Sequence, residues 1–259
     1  MTDLPDKIRE WLKEHGYPLE MEIARAMKLA NFGVVQSEYV EDADTGVLRE
    51  TDVIAYEQAQ SETCRVISAV TVECKSGKKK PWVLFTCNDN YLASLSVSRR
   101  ATSEKGKSIL RVLSSRTEIQ TLLPFALPRR TAYGVTIAMR DNNNDPAYSA
   151  LNSVAKAALG IVKRLSNVEH GNIIPIAFPI LLIEAPMYEA YLGIEGELTI
   201  EPVDMGFLIW KNPVVDRHTL IHIYRKERFI SELRQYRDHL LELCDYAAKE
   251  NDRHPRSDG

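Results

Sequence analysis

The stretch from Arg65 to Lys75 constrains this chain more than any other. Val66, Val70 and Val72 fall on one side of an alternating pattern, while Glu73 and Lys75 share the other. A period of two predicts a strand with one face turned to a core. The charged end limits how that strand is placed, because an acid and a lysine are costly to bury unpaired. A second strand-like run, Val53-Ile54-Ala55, opens on Asp52 and follows Arg49-Glu50-Thr51. Two apolar strands, each starting or ending in charge, ask for a common partner at that end.

Glu73-Cys74-Lys75 is the only tripeptide in the chain with an acid two residues before a lysine. Asp52 and Glu73, with a backbone carbonyl and waters, make a hard, oxygen-rich donor set suited to Mg²⁺ or Mn²⁺. Such an ion would polarise a phosphodiester, lower the pKa of an attacking water and steady the leaving oxygen. Lys75 would orient that water or offset charge in the transition state. Spacing alone fits a surface ion pair on a strand end equally well.

The remaining elements follow in order. Residues 4–15 read as a short helix with Ile8, Trp11 and Leu12 on one face and Gly16 as its stop. Pro18 suits the first turn of a second helix at 18–31, with Ile23, Ala26, Met27 and Ala30 as its apolar stripe. A strand from Val34, a turn at 42–46 and strands at 47–57 and 65–75 form a meander. Residues 76–140 read as a long insertion of mixed structure, with an apolar run at 82–85 and a strand near 135–139. Asp145 and Pro146 predict the start of a helix reaching about Leu165. Apolar strand-like runs follow at 173–184 and 198–210, then a helix at 225–249 that buries Phe229, Leu233, Tyr236, Leu240 and Leu243. Residues 1–250 read as one domain, and the polar tail 251–259 as mobile.

A net charge of −3 gives no global field that draws nucleic acid, so any such surface is a local patch. Lys78, Lys79 and Lys80 lie just past Lys75, where phosphate contact needs them; Arg99-Arg100, Lys105, Lys107 and Arg129-Arg130 add charge in the insertion. Trp82 and Phe85 offer rings for base stacking, with core packing the better-supported role. The four cysteines form no CxxC, the start lacks a signal-peptide pattern, and no run is long enough to span a bilayer. The expected setting is a reduced cytoplasm with no membrane partner. His218 and His222 lack the glutamate of HExxH, and no GxSxG or phosphate-loop pattern occurs.

Leu19 to Ala26, Asn31-Phe32-Gly33-Val34-Val35, Arg49 to Ala55 and Val72-Glu73-Cys74-Lys75-Ser76 together resemble the PD-(D/E)xK, restriction-endonuclease-like nucleases. The similarity is closest to the branch of Holliday-junction resolvases and methyl-directed type IV restriction enzymes. That resemblance implies an αβββαβ core, with helix 18–31, three strands to Lys75, helix 146–165 and the strand at 173–183. It implies one Mg²⁺ site built from Glu20, Asp52 and Glu73, assisted by Lys75. Glu22 is the rival helix acid; two residues apart is about 200° around a helix, so only one of the two faces the site. Glu50 shares a strand face with Asp52 and stands at most behind the ligands. Thr51 stands where the family often has proline.

The expectation is therefore an α/β (or α+β) fold: a mixed central sheet flanked by helices, with a large insertion after the third strand. The expected function is Mg²⁺- or Mn²⁺-dependent cleavage of DNA in bacterial (antiphage) defence or DNA repair. Possible partners are a second copy, as a homodimer, and proteins of a defence system. The alternative is a nuclease-fold protein that binds nucleic acid or a partner without cutting. DNA and RNA are not distinguished by these residues.

Overall fold

The computed structural model describes residues 3–42, 45–77, 80–87, 93–127, 129–139, 146–168, 172–212 and 217–253. Helices α1 (Leu4–Glu14) and α2 (Tyr17–Leu29) lead into three long strands, β1 (Gly33–Glu41), β2 (Leu48–Gln60) and β3 (Arg65–Lys75). After β4 (Trp82–Cys87) come α3 (Ala93–Ser98), β5 (Ala101–Thr102), α4 (Glu104–Leu113) and α5 (Thr117–Gln120). A 3₁₀ turn at Leu123–Phe125 precedes β6 (Thr131–Ile137), and α6 (Pro146–Ser166) precedes β7 (Ile173–Ile183). The chain ends with β8 (Met187–Leu192), β9 (Leu198–Pro202), β10 (Met205–Asn212), β11 (Arg217–Arg225) and α7 (Lys226–Arg253).

All of these strands belong to one mixed sheet, ordered β1-β2-β3-β7-β11-β10-β6-β4-β8-β9, with β5 beside β7. β1, β2 and β3 are antiparallel neighbours, whereas β7 runs parallel to β3 along its whole length, from Arg65 opposite Ile173 to Lys75 opposite Ile183. Parallel neighbours need a crossover, and α6 is the last helix before β7.

Pro175 and Pro179 sit inside this central strand, where a missing N–H normally breaks a ladder. Thr102 on β5 donates its hydroxyl to the Pro175 carbonyl, so that residue's backbone faces β5 and away from β3. Carbonyl and nitrogen of one strand residue point the same way, and Pro179 has the same parity. The ladder to β3 is thereby spared. On the other side β11 pairs only with Ile180–Ile183 and β5 only with Ile176 and Ala177.

Each face of the site-bearing half carries its own core. α2 and α7 cover one face, where Ile23, Met27, Val53, Val70, Val72, Phe229, Tyr236 and Leu240 pack together. α6 covers the other with Leu151, Val154, Ala158 and Ile161 against Ile54, Ala69, Leu181 and Ile221. Gly160 is what lets α6 close on the sheet: a Cβ there would lie 2.3 Å from the Glu41 carbonyl oxygen.

Several expectations shift in detail. The insertion contributes β4, β5 and β6 to the same sheet. The run at 198–210 is two strands, β9 and β10, interrupted after Pro202. β8 escapes the sequence reading altogether. α7 extends through Arg253, so residues 251–253 are helix and not tail. Asp145, expected to cap α6, lies outside the described residues.

Candidate acidic site

The β2–β3 register sets the site. Val53 lies opposite Val72 as the last paired step, which brings Asp52 level with Glu73 just beyond it. Ile54 belongs to the α6-side core, so alternation turns Asp52 to the same side of the sheet. The Asp52 carboxylate is tied across the gap, its Oδ2 accepting the backbone N–H of Cys74 at 2.7 Å. Glu73 is buried, and its Oε1 accepts from Lys75 Nζ at 2.7 Å. Its other oxygen, Oε2, accepts from the hydroxyl of Ser153 on α6 at 3.0 Å.

Glu20 reaches this group from α2. Gly16, with φ +86°, allows the tight passage from α1 into α2; a Cβ there would sit 2.7 Å from Ser76 Oγ. That close approach places the first turn of α2 against the end of β3. Glu20 is half-buried, and its carboxyl is held above the usual range by burial first, then by the charges of Glu50 and Glu73, with Lys75 opposing. Glu22 points elsewhere and pairs with Lys226 at 3.2 Å. The helix acid that meets Asp52 and Glu73 electrostatically is Glu20.

Electrostatics mark the site as short of positive charge. Asp52 is pushed up to about 7, by burial first and then by the charge of Glu73, against the Cys74 hydrogen bond. Burial would lower Lys75, but the charge and hydrogen bond of Glu73, with Asp52 adding, leave its pKa raised. Burial and the three neighbouring acids push the Cys74 thiol well up, so it is no nucleophile here.

Among the described residues, no group of three or more His, Cys, Asp or Glu side chains is arranged to hold a metal ion as it stands. Lys75 and Ser153 hydrogen-bond the two oxygens of Glu73, and the Cys74 N–H bonds Oδ2 of Asp52, each carboxylate oxygen keeping a further lone pair. The donor chemistry itself fits a divalent cation. Three carboxyls share one lysine, and a cation there would offset the burial and the Glu73 charge that together hold the Asp52 proton on.

Lys78 and Lys79 lie outside the described residues, and Lys80 is half-buried just ahead of β4. Arg100 and Arg130 are corrections. Both are buried, Arg100 donating to the Ser96 and Pro124 carbonyls and Arg130 pairing with Glu189 and Glu201. Lys107 is paired with Glu104 on α4 at 2.5 Å. Trp82 is core, as expected, while Phe85 is exposed and stacks on Tyr133. His222 is buried in β11 with its Nε2 at 3.1 Å from the Ala126 carbonyl oxygen, a packing role and no metal ligand. Ser153 gave no sequence signal, because one serine in a helical pattern is commonplace.

No protein-family model, curated protein or solved structure matches this chain at a significant level. Among the described residues no helix is long and apolar enough to cross a membrane.

Proposed function

We propose that this protein is a Mg²⁺- or Mn²⁺-dependent nuclease that hydrolyses phosphodiester bonds in DNA. The observation that carries the reading is the meeting of Glu20, Asp52, Glu73 and Lys75 from three elements at one end of the sheet. With the elements from β4 to β6 set aside as an insertion, the order α2, β1, β2, β3, α6, β7 supports it, since it runs helix, three strands, helix, strand, as in the restriction-endonuclease-like core. Asp52, Glu73 and Glu20 would hold the cation. Bound there, the ion would polarise the phosphodiester and lower the pKa of the attacking water. Lys75, kept charged by Glu73, is the residue suited to orient that water and to offset charge developing on the phosphate. A role in bacterial defence or DNA repair extends the same reading.

The test is cleavage of supercoiled, linear and single-stranded DNA with Mg²⁺, Mn²⁺ or EDTA, with single-stranded RNA alongside. Wild type should cut only with metal, and Asp52→Ala and Lys75→Ala should each lose about 10²–10³-fold. Cutting of RNA alone would move the substrate class. Failure to cut anything, joined to no thermal stabilisation by either metal, would sink the proposal.

A further inference from the structure

Glu73 is the one acid of the site held through both oxygens, and only one of its two donors belongs to the motif. Lys75 takes Oε1, while Oε2 receives a hydrogen bond from Ser153, a residue 80 positions away in sequence. A serine hydroxyl has a single proton to donate, and inside a helix it commonly goes to the carbonyl one turn back. Ser153 instead donates across to the sheet.

Its helix is well placed to act as a fixed support. Leu151, Val154 and Ala155 on either side of Ser153 are buried in the core under the sheet. One turn on, Lys156 Nζ reaches the fully buried Asp42 carboxylate at 2.8 Å, tying α6 to the end of β1. Gly160 keeps the helix within touching distance of Glu41. The hydroxyl is thus delivered from a rigid element. With Oε2 and Oε1 each assigned a donor, the carboxylate plane of Glu73 has one orientation.

We infer that Ser153 is a positioning residue that fixes the Glu73 carboxylate for the divalent cation. This rests on the metal-dependent reading above and adds to it a residue from outside the motif. Groups that orient metal-binding carboxylates are worth about 10–100-fold in metal affinity.

Mn²⁺ affinity, read from the free-ion EPR signal during titration, tests this without reference to turnover. The proteins are the full chain as wild type, Ser153→Ala, Ser153→Thr and Asp52→Ala. Ser153→Ala should bind Mn²⁺ about tenfold more weakly than wild type. Ser153→Thr keeps the hydroxyl and should return to within about twofold of wild type. Wild-type affinity in Ser153→Ala, while Asp52→Ala fails to bind, overturns this inference and leaves the nuclease proposal standing. Equal weakening in Ser153→Ala and Ser153→Thr also overturns it, since the hydroxyl is then not the cause. No Mn²⁺ binding by wild type overturns both.

Discussion

Two clusters of buried charge sit far apart in the same sheet, and they are built on opposite principles. In the outer part, Arg130 lies 3.4 Å from the centroid of the Tyr191 ring and pairs with Glu189 and Glu201. Glu189 has its second oxygen within 3.4 Å of the Thr86 hydroxyl, and Glu201 is half open to water. Every buried charge there has a partner supplied by the chain. At the end of β2 and β3, three acids share one lysine, and two of them are driven toward the neutral form. Buried charges are tolerated when paired and hydrogen-bonded. A cluster that satisfies this from its own residues is structural. In one that falls short by positive charge, the proposed cation would make up the difference.

Removing charge from each cluster should therefore have opposite consequences. The largest stability effect is expected at Arg130. Arg130→Ala leaves Glu189 buried and unpaired, a change that costs about 3–5 kcal/mol in well-buried pairs. The half-open Glu201 places this case near the lower end. Glu189 stands on β8, six strand positions from β3, on the order of 29 Å at the usual spacing. Urea unfolding of Arg130→Ala should show the loss, while the added stability from Mn²⁺ stays at the wild-type value. A variant as stable as wild type would remove the contrast between the two clusters.

The site cluster should respond in the other direction, and pH exposes it. The Asp52 carboxyl rises from an ordinary 3.8 to about 7 in the fold. Between those values the native state keeps a proton that the unfolded chain has released. The associated stability is fully present below about pH 4 and is lost as pH rises through about 7. The loss approaches about 1.4 kcal/mol per pH unit within that window. Asp52→Asn holds the neutral form permanently and still offers an oxygen to the Cys74 N–H. In EDTA its melting temperature should exceed that of wild type at pH 8, and the two should converge near pH 4. Parallel profiles from pH 4 to 8 would show that the fold does not hold the Asp52 carboxyl in its neutral form. With Mn²⁺ present, wild type should regain stability most at high pH, because the cation then meets no competing proton.

The contrast also explains what was legible in the sequence. Alternation from Val66 to Lys75 placed Val70 and Val72 on one face and Glu73 and Lys75 on the other, and the strand follows that pattern. Local signals of this kind located Asp52, Glu73 and the helix that carries Glu20. The outer half was less readable because its logic is long-range. Met187 to Leu192 is a strand whose buried Glu189 takes its counter-charge from Arg130, 59 residues earlier. Arg100 and Arg130 look like solvent-facing charge until the Ser96 and Pro124 carbonyls and Glu189 are placed beside them. Ser153 was hidden for the same reason: its meaning comes from a residue on β3, not from its own helix.

The smallest and sharpest comparison lies within α2, between two glutamates two residues apart. Glu22 pairs with Lys226 while half-exposed, and exposed pairs are worth roughly 0–1 kcal/mol. Glu22→Gln should therefore change urea stability by less than about 1 kcal/mol and leave Mn²⁺ affinity untouched. Glu20 faces the charges of Glu50 and Glu73, so Glu20→Gln relieves repulsion in the metal-free protein and removes a donor from the site. The expected result is unchanged or slightly raised stability in EDTA together with about tenfold weaker Mn²⁺ binding, equivalent to about 1.4 kcal/mol. Stability gained without metal and affinity lost with it is a pairing that simple damage to the fold does not produce. The reverse assignment, with Glu22→Gln weakening Mn²⁺ and Glu20→Gln silent, would require α2 to present its other face to the sheet end. The burial of Leu19, Ile23 and Met27 argues against that rotation, because they fix which side of the helix meets β2 and β3.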